Sequence, residues 1–225
     1  MALRAVIFDF DGVLVNSEPL HFRTLREILL PEGIDIDEDE YVATYLAYDD
    51  RGAIRLALER HGIPFDADRV EGIAQRKAAI FDAAVADVPF FPGVRQLLAG
   101  LAAEIPLAIA SGALHGEIEA ILHAGGLLPV FHAIVGADDV SRGKPHPEPY
   151  LTAMARLETH APRLRPEECL VFEDSMPGIA AARAAGMIVV AVTNSYPAAQ
   201  LSAANRVVAS LEGLGTADLR ALVAA

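Results

Sequence analysis

Tryptophan is absent from the 225 residues, and only 6% of them are aromatic. A core built without large rings must come from Ala, Val, Ile and Leu, which favours aliphatic helices laid on a sheet. A single cysteine, Cys169, excludes an intramolecular disulfide, and a reducing compartment is the simpler expectation. It opens the apolar run Cys169-Leu170-Val171-Phe172, where a buried packing role is expected. No apolar run approaches the length that spans a bilayer. The chain reaches Asp9 and Asp11 before the apolar centre of an export signal develops, so a cytoplasmic protein is expected. Positive charge is scarce too: 18 Lys and Arg against 31 Asp and Glu leave a formal net charge of −13. Such a surface repels nucleic acid and anionic membranes, and neither is expected as a partner. The expected state is a monomer.

What is present is an alternation. Short apolar runs at residues 5–8, 105–110, 132–136, 169–172 and 188–192, with a weaker one at 206–209, are separated by helix-length segments. Continuous apolar runs of this length read as strands buried on both faces, and the alternation predicts a parallel sheet covered by helices. The expected fold is therefore α/β, a doubly wound, Rossmann-like parallel sheet. Between the first and second runs lies a long segment without a strand signal. It carries amphipathic stretches at 17–30, 50–61 and 66–87, the last with Ile73, Lys77, Ile80, Phe81 and Ala84 on one stripe. This predicts an all-helical insert, a cap at residues 14–88 on a core of residues 1–13 and 89–225. Pro89, Pro92 and Gly93 punctuate the return.

Ligands of open α/β sheets collect at the carboxyl ends of the strands. Here the first strand ends in Asp9-Phe10-Asp11-Gly12 and the second in Ser111-Gly112. The third leads into a loop with Gly143-Lys144-Pro145, and the fourth ends in Glu173-Asp174. Four carboxylates brought to one cleft would repel one another until some were protonated. A divalent cation removes the difficulty, and hard oxygen ligands with open positions suit Mg²⁺. Lys144 would neutralise a further charge. A carboxylate can attack phosphorus and form an aspartyl phosphate. A second one two residues on can protonate the leaving group and then activate water. Ser111, with backbone N–H groups of the following turn such as Gly112, can hold phosphate oxygens. Cation and Lys144 would stabilise the charge on the transferring group.

Asp9-Phe10-Asp11-Gly12-Val13 is similar to the signature of the haloacid dehalogenase superfamily, and Ser111, Lys144 and Glu173-Asp174 match its later motifs in order. The resemblance covers nearly the whole chain. It implies Asp9 as nucleophile, Asp11 as acid/base, and Mg²⁺ on the Asp9 side chain, the Asp11 carbonyl and the Asp174 side chain. Glu173 would bind the metal through water or orient Lys144. The dehalogenases of the superfamily lack the second aspartate of the first motif, so Asp11 points to phosphoryl transfer.

Within the superfamily the chain looks closest to the β-phosphoglucomutase-like group of sugar-phosphate enzymes. His21, Arg51 and Lys77 match positions with which that group handles the acid/base residue and the substrate. On their own, basic residues interrupting an apolar stripe more often cover its edge. Two departures stand out: Asn16 replaces a common Asp, and Leu114 stands where the mutase carries a basic residue that grips a second phosphate. The expectation is therefore Mg²⁺-dependent hydrolysis of a small phosphomonoester, a sugar phosphate by preference. The alternatives are a sugar phosphomutase and a non-catalytic binding or regulatory protein on the same fold.

Overall fold

A computed structural model describes residues 2–46 and 48–224. The chain divides into two compact units, Met1–Asn16 with Pro89–Ala225, and Ser17–Val88. The first strand, β1 (Ala5–Phe8), belongs to the first unit and is buried along its whole length.

The Ser17–Val88 unit is helical. Helix α1 (Glu18–Leu29) is followed by a single turn α2 (Glu38–Glu40), which runs into a π-helical turn at Tyr41–Tyr45. Helices α3 (Asp50–Arg60) and α4 (Ala67–Ala84) complete it. Three aspartates set the helix starts: the side chains of Asp37, Asp49 and Asp66 each accept from a backbone N–H three residues on, at 2.8 Å. Each such cap contributes ~1 kcal/mol by satisfying an orphaned donor. The apolar stripes meet in a private core of Leu25, Ile28, Leu29, Ile54, Leu58, Val70 and Ile73, closed by Tyr41 and Tyr45.

The other unit holds the sheet. After α5 (Val94–Ala102) come β2 (Leu107–Ala110), α6 (His115–Ala124), β3 (Ala133–Val135) and α7 (Glu148–Arg156). Then follow β4 (Cys169–Glu173), α8 (Met176–Ala184), β5 (Ile188–Val192), β6 (Arg206–Val208) and α9 (Thr216–Ala224). The strand order is β3-β2-β1-β4-β5-β6, and every pair is parallel. The doubly wound α/β sheet read from the apolar runs is thus present, the weak sixth run included. Small residues let the layers approach: Ala108 and Ala110 of β2, Ala153 of α7 and Ala181 and Ala182 of α8 share one core with Ile7, Val171 and Val189. Each fully buried Val, Ile or Leu contributes about 1.5–3 kcal/mol.

Leu14, Val15 and Asn16 go with the sheet unit, three residues beyond the expected boundary. Leu14 and Val15 are fully buried, and the backbone pairs Asn16 N with Pro89 O at 2.9 Å and Phe91 N with Leu14 O at 3.0 Å. Outgoing and returning chains are stitched together before the insert begins. No helix among the described residues is long and apolar enough to cross a membrane.

Candidate active site

The chain leaves β1 and β4 toward opposite flanks of the sheet, because β2 and β3 lie on one side of β1 and β5 and β6 beyond β4. This reversal opens a crevice at the carboxyl ends of β1 and β4. The register pairs Phe8 with Phe172, so the next residues, Asp9 and Glu173, stand side by side. The Asp9 N–H donates to Phe172 O at 2.9 Å, which fixes the start of the loop.

The side chains of Asp9, Glu173 and Asp174 each bring a carboxylate oxygen within 4.8 Å of the others, and all three residues are buried. Lys144 joins them from the β3–α7 loop, with Nζ 2.8 Å from Asp9 Oδ1 and 2.7 Å from Glu173 Oε1. Its peptide bond to Pro145 is cis. Glu173 is saturated with donors. Oε1 accepts from Lys144 Nζ and from Tyr150 OH, both at 2.7 Å. Oε2 accepts from the N–H groups of Asp174 (2.9 Å) and Ser175 (3.0 Å) and from Ser175 Oγ (2.9 Å). Ser175 also caps α8 by accepting from Gly178 N.

One ammonium therefore faces three carboxylates. Burial works to raise the pKa of Glu173, but Lys144 and the surrounding hydrogen bonds outweigh it, and Glu173 stays below its ordinary value. The surplus negative charge falls on the other two. Burial first, then the Glu173 charge, holds the Asp9 carboxyl well above the usual range, with Lys144 opposing. Asp174 is pushed up to about 6, again by burial first; the Ser195 hydroxyl opposes the shift and Glu173 adds to it. Burial disfavours the Lys144 charge, yet Asp9 and Glu173 hold the ammonium above the ordinary lysine value. An excess of buried carboxylate oxygens is the donor chemistry that a hard divalent cation relieves. The residues present fit such a cation.

Ser111 follows β2 and is buried, and its Oγ accepts from Ala113 N at 3.1 Å. Gly112 is exposed in the same turn, ahead of α6. Asp11 is half-buried in the loop after β1, and its side chain is not one of the three clustered carboxylates.

Of the basic residues in the helical unit, the three candidates His21, Arg51 and Lys77 do not form one group. Lys77 is 2% exposed, ion-paired with Asp50 Oδ1 at 2.5 Å and 3.2 Å from His21 Nδ1, and His21 and Phe81 face each other with ring centroids 4.7 Å apart. It does not cover the edge of its stripe; it lies inside the unit, where an ammonium requires such partners. Arg51 turns to Glu71, with two hydrogen bonds at 2.7 and 3.0 Å.

Sequence reasoning missed four contributors. Tyr150 lies inside a helix and reads as packing; nothing in its spacing marks it. Gly178 stands where a Cβ would collide with the Glu173 carboxylate. Asn194 and Ser195 follow β5 and touch this site through Gly12 and Asp174. The rule that flagged the other strand ends applies equally to them.

Residues 3–186 match the model of the haloacid dehalogenase-like hydrolases. The chain belongs to that family. It is 34% identical over 206 residues to Protein CbbY of Rhodobacter capsulatus, covering 87% of this chain and 88% of the relative. It is 33% identical over 190 residues to a phosphorylated carbohydrates phosphatase of Thermotoga maritima, covering 82% of each. A crystal structure of a CbbY mutant from Rhodobacter sphaeroides with xylulose-(1,5)bisphosphate superposes with a TM-score of 0.82 at 27% identity, over 97% of this chain and 99% of that one. The chain is accordingly an enzyme of the family's phosphatase type, and the haloacid dehalogenase fold expected from its motifs is the fold observed.

Proposed function

We propose that this phosphatase hydrolyses a small phosphomonoester, a sugar phosphate, with Mg²⁺ and through a phosphorylated Asp9. The single observation that carries the reading is the cluster of buried Asp9, Glu173 and Asp174 carboxylates at the ends of β1 and β4, with Lys144 of the β3–α7 loop 2.8 Å from Asp9. The sugar-phosphate preference rests on relatives named for phosphorylated carbohydrates and bound to a sugar bisphosphate.

Asp9 attacks phosphorus as its carboxylate, forming a P–O bond while the bond to the leaving alcohol breaks. Asp11 gives its proton to the departing oxygen. Asp11, now ionised, takes a proton from water; the water oxygen attacks phosphorus, the bond to Asp9 breaks and inorganic phosphate leaves. Ser111 and the Gly112 N–H hold phosphoryl oxygens. Lys144 sits beside the attacking carboxylate, and Glu173, with both oxygens occupied by protein donors, orients it. When bound on the Asp9 and Asp174 side chains and the Asp11 carbonyl, Mg²⁺ supplies positive charge that keeps Asp9 ionised and stabilises the transferring group. The helical unit is proposed as the enzyme's accessory cap domain.

The test is phosphate release from a panel of phosphomonoesters with and without Mg²⁺, in the native protein and in Asp9→Asn. Release that needs both Mg²⁺ and Asp9 and is strongest on sugar phosphates is the expected result. Equal release without either refutes the reading.

A further inference from the structure

The loop after β5 makes two contacts that the proposed mechanism leaves unused. Ser195 Oγ donates to Asp174 Oδ2. Asn194 Nδ2 donates to the carbonyl of Gly12 at 2.7 Å. Both residues are exposed, whereas Asp174 is buried, so the loop reaches the site from its rim. The loop is itself anchored, since Thr193 N donates to Val208 O of β6 at 3.1 Å.

Gly12 is the point where these contacts converge. Its φ is +74°, and a Cβ there would overlap the Asp174 carboxylate and lie 2.7 Å from Ser195 Oγ. Its N–H donates to Val15 O at 3.0 Å, and its carbonyl accepts from Asn194. With both ends of Gly12 held, the preceding peptide, which carries the Asp11 carbonyl, has little freedom to rotate. Asp174 is restrained in parallel: a carboxylate held through one oxygen has its plane fixed, while its other oxygen can still ligate. Outer hydrogen bonds of this kind orient ligands and raise metal affinity.

We propose that the Asn194-Ser195 loop is the positioning element of the cation site, Ser195 fixing the Asp174 carboxylate and Asn194 fixing the Asp11–Gly12 peptide. This rests on the reading of Asp9, Asp11 and Asp174 as Mg²⁺ ligands. Neither residue touches the reacting phosphorus; each acts through a ligand.

The experiment is the dissociation constant of Mg²⁺ alone, read from the Mg²⁺ dependence of the melting temperature, for the native protein, Ser195→Ala, Ser195→Thr and Asn194→Ala. Ser195→Ala and Asn194→Ala should each weaken Mg²⁺ by about tenfold or more, the usual effect of losing an outer-shell partner. Ser195→Thr keeps the hydroxyl and should restore native affinity. In turnover, the Mg²⁺ half-saturation should rise by the same factor while the KM for a sugar phosphate moves much less. A native Mg²⁺ affinity in Ser195→Ala overturns the inference while leaving the catalytic reading intact. A native protein that binds no Mg²⁺ overturns both.

Discussion

The carboxylate of Glu173 occupies the space that a side chain on Gly178 would fill. A Cβ at Gly178 would overlap Oε1, Oε2 and Cδ of Glu173. Position 178 in the first turn of α8 therefore has to lack a side chain so that β4 can end in a buried carboxylate holding Lys144.

Gly178→Ala follows directly. Helix propensity alone would favour alanine by roughly 0.5–1 kcal/mol. Displacing a fully hydrogen-bonded buried carboxylate outweighs that gain, and overpacking of this kind costs about 1–3 kcal/mol. We expect a lower urea midpoint and a loss of phosphate release larger than the loss of stability explains. An Ala variant of native stability and activity would show that Glu173 is not held as described.

Lys144 is the sole cation among three carboxylates, and its removal has a pH signature. In Lys144→Met, Asp9 and Glu173 lose their counter-charge, and breaking a buried pair costs about 3–5 kcal/mol when the remaining charge is retained. Protonation relieves the repulsion. The destabilisation should therefore be large at pH 7.5 and shrink toward pH 5, as thermal melts at both values would reveal.

Without the proposed cation, the Asp9, Glu173 and Asp174 cluster carries an excess of buried negative charge at neutral pH. Asp174 is raised to about 6 and Asp9 well above its ordinary value, burial being the main cause for both. Raised carboxyl pKa values mean that the folded state binds more protons than the unfolded one between roughly pH 4, the unfolded value, and the folded values. Stability contributed by these groups is thus present at low pH and falls as pH rises through that window. Melting temperature without metal should decline from about pH 4.5 to 7. Mg²⁺ at tenfold its dissociation constant should return ~1.4 kcal/mol at neutral pH, or about 3–6 °C for a chain of this size, and much less at pH 5. A Mg²⁺ effect independent of pH would contradict this.

The helical unit offers an asymmetric pair of substitutions. Asp50→Ala leaves the buried Lys77 ammonium with His21 Nδ1 and the face of the Phe81 ring, whose centroid is 5.7 Å from Nζ, whereas Lys77→Met removes the charge and keeps an apolar stem. Asp50 is 43% exposed on its side chain, so its loss should cost about 2 kcal/mol, below the full cost of orphaning a buried charge. Lys77→Met should cost less than half as much. Chemical denaturation of the two variants measures the ordering.

These relationships differ in how visibly the sequence carries them. The strands announce themselves because a strand buried on both faces needs an unbroken apolar run, and Ala5-Val6-Ile7-Phe8 or Ile188-Val189-Val190 can hardly serve elsewhere. The helix starts are equally local, set by Asp49, Asp66 and Ser175. Asp9, Lys144 and Glu173-Asp174 are legible because each closes a strand or follows one. Tyr150 and Gly178 are a different case. Their roles depend on how their helices pack against β4, and nothing in residues adjacent to them records that packing. Ser195 follows a strand as Asp9 does, but only the sheet order makes Asp174 its partner. The π-helical turn at Tyr41–Tyr45, which buries both tyrosines in the core of the helical unit, has no local sequence pattern that marks it.

If Asp9 carries the phosphoryl group during turnover, that group can be trapped on it. Native protein and Asp9→Asn would be mixed with a radiolabelled sugar phosphate and Mg²⁺, quenched in acid during turnover and freed of small molecules. Hydroxylamine-labile label is expected on the native chain, located in the peptide that contains Asp9, and none on Asp9→Asn. Native turnover without such label, or equal label on the variant, would contradict a phosphorylated Asp9.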